Sequence, residues 1–378
     1  MKIEAFTMER MQSIWENRVA INISESGVHP LTLRELVAET GLDPLLDVGL
    51  GYPQTNGTVA LRSAIAAMYP GATPDHVQVT NGGSEANFVT AWSLLEPGDE
   101  VVMLTPNYMQ LWGLSRAFAG SLREWRLRER NGRWRPDLAE LLDLVTPRTK
   151  LIALCNPDNP TGARLDASDL DEVCAQASRH GAWVLSDEIY RGAELDGHET
   201  PTCGGRYDRV IITSGLSKAY GLPGLRIGWI VGPPPLVATT WGYHDYTSIA
   251  PGAVSDRLAS LVLQPGLRAR ILDRTRALLA ANYPPLARWL VSHGSDFSFI
   301  PPEAGAIVFA RYNRAVNSTV LTTRLREERG VLLVPGDQFG MDGYVRIGFG
   351  GSSTDLIEAL DRLQAELSRY RVDIGHSL

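Results

Sequence analysis

The strongest constraint on the fold is a regular alternation of short apolar runs with amphipathic stretches between Val77 and Gly232. The apolar runs read VQVT, EVVML, KLIALC, WVLSD, VIITS and IGWIVG, and helical spacing begins near Ser84, Tyr108 and Ser168. Short buried strands that are joined by helical crossovers form mostly parallel sheets with both faces covered. The sequence therefore predicts an α/β domain with a mostly parallel central sheet.

The regions on either side of this alternation have a different pattern. A helix is predicted at Leu31–Thr40, and a long helix at Arg268–Ser292 precedes the apolar runs FSFI, AIVFARY, VLLVP and VRIGFG. That order predicts a smaller α+β domain, which N-terminal residues complete. We place the large domain at 45–265 and the small domain at 1–44 and 266–378, because a chain of this length suits two cores.

Charge and hydropathy exclude several classes of function. The 378 residues carry a formal net charge of −7, so the chain lacks the basic surface that nucleic acid or anionic lipid requires. Its most arginine-rich stretch, Leu122 to Arg135, alternates polar and apolar residues and is predicted to form an edge strand and a turn. No run of about 18 apolar residues and no apolar signal-peptide core is present. We expect a cytoplasmic protein with no nucleic-acid or membrane partner.

The cysteines give the same indication of compartment. Cys155, Cys174 and Cys203 are odd in number and lack CxxC spacing. This pattern favours buried thiols in a reducing compartment over disulfides or a zinc site, and we expect no metal.

The strongest chemical motif is SGLSKAYGLPGLRIGW, which directly follows the predicted strand VIIT. It places Lys218 at the strand exit, with Ser217 before it and Arg226 eight residues after it. These residues can bring an amine and a phosphate-binding guanidinium fork into one pocket. A lone lysine at this place would more often be a solvated surface residue.

This motif resembles the active-site segment of fold-type-I pyridoxal-5'-phosphate (PLP) enzymes, the class I and II aminotransferases. The resemblance implies a three-layer PLP-dependent transferase fold in which Lys218 binds the cofactor as a Schiff base, while Ser217 and Arg226 bind its phosphate. One departure is Gly215, which stands where several members carry a phosphate-binding hydroxyl group. Ser217 and Ser84 would then carry more of the phosphate contact.

The second motif, TNGGSEAN, joins a predicted strand to a predicted helix through two glycines and a serine. Free amides at a helix N-terminus bind anions, and a serine hydroxyl adds a donor. The resemblance implies that Gly83, Ser84 and the amide of Glu85 hold the cofactor phosphate. By itself the pattern is equally compatible with an ordinary helix cap.

Two further motifs follow predicted strands of the central sheet. In NPDNPTG, the resemblance assigns to Asn159 a hydrogen bond to the phenolic oxygen of the cofactor, although such residues can also form a simple tight turn. In LSDEIYRG, Asp187 ends a buried strand and therefore needs a partner, and Tyr190 resembles the tyrosine that donates to the same phenolic oxygen. A protonated pyridine nitrogen at roughly 4 Å from Asp187 would be worth about 4 kcal/mol, which is about three pK units. The alternative for Asp187 is a helix cap.

The last motif, VRIGFG, places Arg346 on an apolar strand, where an unpaired guanidinium is costly and a carboxylate is its natural bidentate partner. The resemblance assigns to it the α-carboxylate of an amino-acid substrate, with a structural salt bridge as the alternative. Gly27, in ESGVHPLT, is expected near that carboxylate. Tyr108 is expected to stack on the cofactor ring unless it packs in the core. Tyr52 is expected to reach the phosphate of the neighbouring subunit of a homodimer unless it packs locally.

The motifs span Ile21 to Leu367 in the order found in the family, which predicts an aminotransferase that moves an amino group between an L-amino acid and a 2-oxo acid. ESGVHPLT, the lysine motif and VLLVPG also resemble a branch that includes capreomycidine synthase, which cyclises its substrate. A PLP-dependent lyase or cyclase acting on a basic amino acid is therefore the alternative, and a non-catalytic PLP-binding module is a third. The pocket for the substrate side chain stays open, with four candidate residues: His29, Trp112, His244 and Tyr246.

Overall fold

The computed structural model describes residues 2–372, and within them the strands form an eight-stranded, a four-stranded and a two-stranded sheet. The strands are β1 (Ile21–Asn22), β2 (Val77–Thr80), β3 (Glu100–Thr105), β4 (Ser121–Arg130), β5 (Arg133–Pro136), β6 (Thr149–Cys155), β7 (Trp183–Asp187), β8 (Val210–Gly215), β9 (Gly228–Val231), β10 (Phe297–Phe299), β11 (Ile307–Tyr312), β12 (Val331–Leu332), β13 (Val334–Pro335) and β14 (Tyr344–Gly348). The α-helices are α1 (Thr7–Trp15), α2 (Leu33–Thr40), α3 (Asp43–Leu46), α4 (Val59–Ala66), α5 (Gly83–Leu94), α6 (Gln110–Phe118), α7 (Leu138–Leu144), α8 (Ala167–His180), α9 (Pro234–His244), α10 (Ala253–Val262), α11 (Pro265–Ser292), α12 (Ser318–Arg329) and α13 (Ser353–Leu367).

The eight-stranded sheet has the order β2-β9-β8-β7-β6-β3-β4-β5, and every pair from β8 to β4 is parallel. Successive side chains of a strand point to opposite faces. In β6, Leu151 and Ala153 accordingly pack with α5 and α6 on one face, while Ile152 and Leu154 join the core on the other face. The predicted mostly parallel central sheet with helices on both faces is therefore confirmed.

Antiparallel strand pairs occur at both edges of this sheet, and each has a local cause. The chain between Gly215 and Gly228 forms one short 3₁₀ turn and no helical crossover, so β9 runs back antiparallel to β8. At the other edge, β4 and β5 form a hairpin whose turn residues Asn131 and Gly132 have φ values of 53° and 72°. Two central turn residues with positive φ match the twist of a tight hairpin, and this is the predicted edge strand and turn.

Local sequence signals determine where several helices begin and end. At the start of α2, the Thr32 hydroxyl accepts a hydrogen bond from the amide of Glu35, whose carboxylate accepts one from the amide of Thr32. This reciprocal capping satisfies two donors that a helix start would otherwise leave unpaired. Helices α8 and α12 end at Gly181 and Gly330, with φ values of 68° and 67°, a left-handed conformation that costs glycine little.

The C-terminal third of the chain forms an antiparallel sheet of order β10-β11-β14-β13, which α11, α12 and α13 accompany. Residues Ile21 and Asn22 of β1 pair in parallel with Val331 and Leu332 of β12. N-terminal residues thus join the C-terminal part, while the domain boundaries at residues 44 and 265 stay a prediction.

Three parallel strands end side by side at one edge of the eight-stranded sheet. Strand β6 ends at Cys155, β7 at Asp187 and β8 at Gly215, and α5 begins at Gly83 after β2, which β9 separates from β8. In open α/β sheets, ligands bind outside the carboxyl ends of the strands. The loops that follow these strands carry the chemical motifs of the sequence, so a functional site is expected at this edge.

The cysteines are buried and free, and the Sγ atoms of Cys174 and Cys203 lie 3.6 Å apart. None of the helices within residues 2–372 combines the length and the apolar character needed to cross a lipid bilayer.

Candidate active site

A cavity of about 630 Å³ opens at the carboxyl edge of the central sheet. Its volume is in the range of pockets that hold cofactors and small substrates. Most residues that the sequence assigned to the site line it: Gly83, Ser84, Tyr108, Asn159, Asp187, Tyr190, Ser217, Lys218, Arg226 and Arg346. Groups that are far apart in the sequence are therefore brought together in one place.

Lys218 faces the N-terminal segment of the chain. Its Nζ lies 3.5 Å from Oε2 of Glu25, and this neighbouring ammonium group lowers the pKa of Glu25. Gly27 packs against the stem of the lysine, because a Cβ atom built there would lie 3.2 Å from the Ser217 carbonyl oxygen and 3.4 Å from Cδ of Lys218. A Cβ atom at position 27 would crowd the Ser217 carbonyl oxygen, next to the lysine. Gly27 thus lies beside Lys218, while its predicted contact with a substrate carboxylate stays a prediction.

Asp187 ends β7 as a buried carboxyl group. The Asn87 side-chain amide donates to its Oδ2 at 3.0 Å, and the Ile189 backbone amide donates to its Oδ1 at 3.2 Å. The Thr213 hydroxyl in turn donates to Oδ1 of Asn87 at 2.7 Å, which fixes that amide. Burial raises the pKa of Asp187 to about 6. Within residues 2–372 no basic side chain pairs with it, so the carboxyl group can receive a cationic partner from the cavity.

Arg346 is a fully buried guanidinium group on β14. Nη1 donates to Oδ1 of Asn159 at 2.9 Å and Nη2 donates to the carbonyl oxygen of Ser24, whereas Nε has no hydrogen-bond partner in the described part of the chain. Burial lowers its pKa, and no carboxylate among residues 2–372 lies within ion-pair distance. An unpaired buried cation is costly, and a carboxylate ligand would compensate for that cost.

Two tyrosines complete the walls of the cavity. The Tyr190 hydroxyl donates to Oγ of Ser26 at 2.8 Å, and the Tyr108 hydroxyl donates to Oε1 of Glu9 at 2.9 Å. Burial raises the pKa of both phenols, so both stay protonated donors at neutral pH.

The glycine turn before α5 and the Arg226 guanidinium form a close-fitting cradle. Gly82 has a φ of 90°, and a Cβ atom there would lie 2.3 Å from Nη2 of Arg226. A Cβ atom at Gly228 would lie 2.3 Å from the Gly82 carbonyl carbon. Only glycine allows these backbones and the guanidinium to approach so closely. Free amides at the start of α5 and a cation beside them form an anion site.

The position of Glu85 differs from the one that a contact with the cofactor phosphate would require. It does not line the cavity, and its amide already donates to the Gly82 carbonyl oxygen at 3.2 Å. Its carboxylate turns back and accepts from the Asn81 amide at 2.6 Å. The contact of its amide with a phosphate therefore lacks support, because the backbone group is committed within the first turn of the helix.

Tyr52 is another predicted residue that does not line the cavity of its own chain. Its side chain is 86% exposed, which rules out the alternative of local packing. The contact with a neighbouring subunit stays a prediction.

The four open candidates for the substrate side chain do not line this cavity. His244 is buried against Glu85, Trp112 packs against the core beside α5, and Tyr246 is 82% exposed. His29 lines an adjacent cavity that shares Glu25 with the first one.

Sequence reasoning missed one complete wall of the cavity. Four polar residues of the N-terminal segment line it, and all lie on one face of α1 and its C-terminal extension: Glu9, Gln12, Ser13 and Glu16. Their spacing of three, four and seven residues is that of one helical face, and this signal was present in the sequence. It does not indicate which surface such a face covers.

The cavity fits PLP on four independent grounds. It offers an amine for the aldehyde, an anion cradle for the phosphate, a buried acid for the ring nitrogen and protonated donors for the phenolic oxygen: Lys218, the Gly82–Ser84 turn with Arg226, Asp187, and Tyr190 with Asn159. The unpaired guanidinium of Arg346 leaves a further anion position beyond these, which suits the carboxylate of an amino acid.

The fold and the site together define a PLP-dependent enzyme of fold type I. The sequence pattern of the family Aminotransferase class I and II matches residues 47–363, and the chain belongs to this family. Its cofactor is therefore PLP, as the sequence predicted.

Individual relatives differ in the reaction that their names state. The chain is 35% identical to capreomycidine synthase of Streptomyces vinaceus over 92% of its own length and 90% of that protein. A PLP-dependent aminotransferase of Streptococcus suis 89-1591 is also 35% identical and superposes with a TM-score of 0.90 over 98% of this chain and 99% of the other. The PLP-dependent cyclase OrfR, in complex with Au, is 28% identical, with a TM-score of 0.89 over 98% of each chain.

Proposed function

We propose that the protein is an aminotransferase that moves an amino group from an L-amino acid to a 2-oxo acid. The observation that carries the proposal is the unpaired, buried guanidinium of Arg346 in the same cavity as Lys218 and Asp187. This arrangement supports the binding of the α-carboxylate at one end of the cavity, with the amino group directed at the lysine. Family membership supports amino transfer as the reaction.

The residues of the chain divide the chemical work among them. PLP supplies an aldehyde that condenses with amines and a cationic ring that accepts the electron pair released at the substrate Cα. Lys218 would attach the cofactor through its Nζ, and the same Nζ, as a free amine, would accept the proton from the substrate Cα. Asp187, in its ionised form, keeps the ring nitrogen protonated. The Tyr190 hydroxyl and the side-chain NH2 of Asn159 would donate to the phenolic oxygen.

A homodimer is part of the proposal. Large apolar side chains are highly exposed in two segments of the large domain, with exposed fractions of 69% to 86% at Leu46, Leu50, Tyr52 and Tyr246. Exposed apolar side chains of this size favour contact with another protein surface. A second copy of the chain would cover them and bring Tyr52 to the phosphate site of its neighbour. The cytoplasm stays the expected compartment.

The half-reaction without a keto acid tests amino transfer directly. The holoenzyme is mixed with a panel of single L-amino acids, and absorbance is followed over one turnover. Transfer predicts that the cofactor accumulates as pyridoxamine phosphate, while the matching 2-oxo acid appears in equal amount. If every amino acid is bound and released with the lysine-bound cofactor restored, amino transfer is contradicted.

A second candidate is elimination or ring closure on a basic amino acid, and one observation favours a basic substrate. Three carboxylates, Glu9, Glu16 and Glu25, line the cavity on the side of the N-terminal segment. Partial burial and the like charges of Glu25 and Glu9 raise the pKa of Glu16. Lys218 stands beside Glu25, but its single positive charge cannot balance all three carboxylates. A cationic substrate side chain would then restore the balance of charge.

L-Arginine and L-citrulline test this second candidate. They have nearly the same shape, but only arginine carries a charge on its side chain. A basic-substrate enzyme is expected to bind arginine about tenfold more tightly, which corresponds to about 1.4 kcal/mol. Equal affinity for the two amino acids contradicts a cationic subsite and leaves amino transfer itself untouched. Release of a cyclic or eliminated product, with the lysine-bound cofactor restored, would identify the second candidate.

A further inference from the structure

The carboxylate of Glu85 contacts the turn before α5, Asn81–Gly83, which belongs to the proposed site for the cofactor phosphate. Oε2 of Glu85 accepts hydrogen bonds from the Asn81 amide at 2.6 Å and the Ser248 hydroxyl at 3.0 Å, and it lies 3.1 Å from Nε2 of His244. Glu85 itself lies outside the lining of the cavity. The carboxylate therefore contacts the turn without lining the cavity.

The groups that hold Glu85 belong to the end of α9 and the loop that follows it. The His244 side chain is fully buried, and its Nε2 also lies 3.1 Å from Oγ of Ser248. The Asn81 side-chain amide donates to the Ala250 carbonyl oxygen at 3.3 Å, which adds a second link between the turn and the same loop. Two independent contacts thus fix Asn81 against this loop.

Because Asn81 is fixed in place, it also restricts the groups of the phosphate site that it contacts. Its carbonyl oxygen accepts from Nη2 of Arg226 at 3.4 Å, and its chain continues directly into Gly82 and Gly83 of the cradle. A shift of the Asn81 peptide would displace both the arginine and the first free amides of α5. Because a cradle without Cβ atoms is conformationally permissive, some other contact must restrict it.

The charge of Glu85 makes its orientation significant. Although burial works against ionisation, hydrogen bonds from His244, Asn81 and Ser248 hold the pKa of Glu85 at about 2, so the group is an anion at neutral pH. An anion in the first turn of α5 would repel a phosphate if it faced the cavity. Turned towards these donors, it is satisfied elsewhere and leaves the free amides of the helix to the phosphate.

We propose that Glu85 is a positioning residue for the cofactor phosphate, and that it acts with His244 and Ser248 by fixing the Asn81 peptide and, through it, Arg226. The residue holds the cradle in its binding geometry before the cofactor arrives. It contributes to the affinity for the phosphate group of PLP and not to the chemistry at the aldehyde.

The test compares PLP with pyridoxal, which has the same ring and aldehyde but no phosphate. Dissociation constants of both are measured on cofactor-free protein by absorbance titration, for the wild type and for Glu85→Gln. We expect PLP to bind about tenfold more weakly to the variant, with the affinity for pyridoxal unchanged within about twofold. The matched control is Glu96→Gln, an exposed carboxylate just beyond the other end of α5.

Two results would overturn the proposal. An equal loss of affinity for both ligands would indicate general damage to the site, and no loss for either would show that the carboxylate does not set the cradle. If Glu85→Gln does not fold, Ser248→Ala removes one donor to the same carboxylate at a partly exposed position and replaces it in the test. That variant is expected to show the same selective loss for PLP, about threefold, and equal behaviour of the two ligands would again contradict the proposal.

Discussion

Two walls of the same cavity are built in different ways. The cofactor wall consists of Asn159, Asp187, Tyr190 and Lys218, at or just after the ends of strands of the central sheet, and its first three members are buried. The N-terminal wall consists of the α1 face and Glu25, whose carboxylate is about half exposed. Groups at strand ends are held by the sheet, whereas exposed groups on a terminal segment are held by few contacts. This difference suggests that the cofactor wall determines the reaction and the N-terminal wall determines which amino acid is used.

The largest effect is expected at the cofactor wall. Asp187→Asn keeps the shape of the side chain but removes the charge that holds the ring nitrogen protonated. With a pair worth about 4 kcal/mol, turnover should fall about 1000-fold, and by the same factor for every amino donor. Single-turnover rates with several donors measure this. A loss that differs strongly among donors would show that the two walls are not separate in function.

Arg346 lies between the two walls, and its replacement should weaken the binding of the amino donor. Arg346→Met fills a similar volume without the charge, so the KM for the amino donor is expected to rise about 100-fold with a smaller change in kcat. The control ligand is the decarboxylated amine of the same amino acid, which has no carboxylate to lose. If the variant still prefers the amino acid over this amine as strongly as the wild type does, the carboxylate lies elsewhere.

A pH series sharpens the role of the buried acid. Since burial raises the pKa of Asp187 from 3.8 to about 6, the fold favours its neutral form. Its contribution to the stability of the cofactor-free protein is therefore complete below about pH 4 and is lost as the pH rises through about 6. PLP needs the ionised carboxylate, so its affinity should rise about tenfold between pH 5 and pH 7.

Asp187→Asn is the control for that series, because the cofactor phosphate titrates near pH 6 as well. The difference between wild type and variant isolates the contribution of Asp187. Parallel pH profiles for the two proteins would contradict the assignment of this carboxyl group to the ring nitrogen.

The smallest effect is expected at the N-terminal wall. Glu16→Gln removes one exposed carboxylate and should lower the preference for arginine over citrulline about threefold, with the affinity for PLP unchanged. Glu4→Gln removes the same charge from the same segment outside the cavity and should change neither quantity. A change in the PLP affinity of Glu16→Gln would contradict the assignment of separate functions to the two walls.

The sequence predicted the cofactor wall because its residues follow buried strands at fixed places in their motifs. Parallel neighbouring strands end at one edge, so Asp187 and the loops carrying Asn159 and Lys218 had to meet there. The direction of β9 could not be read from its apolar run, since it depends on whether the preceding connection holds a helix. The mostly parallel sheet was nevertheless right.

The sequence alone could not indicate contacts that depend on distant partners. The backbone amide of Glu85 was assigned to the phosphate because it lies at a helix start. Nothing in the sequence indicated that the side chain of Glu85 contacts His244 and Ser248, more than 150 residues away. The polar face of α1 had a visible helical spacing, yet nothing local indicates that it covers a cavity. Local patterns fix local structure, whereas contacts between remote segments need the fold.

The attachment site of the cofactor gives the most direct test of the central claim. The chain has only three lysines, Lys2, Lys150 and Lys218, so reduction of the holoenzyme with borohydride, digestion and peptide mass analysis can identify the attached residue without ambiguity. The account predicts one pyridoxyl group per chain, on the peptide that contains Lys218. An adduct on Lys2 or Lys150, or no adduct on protein that has taken up PLP, would contradict it.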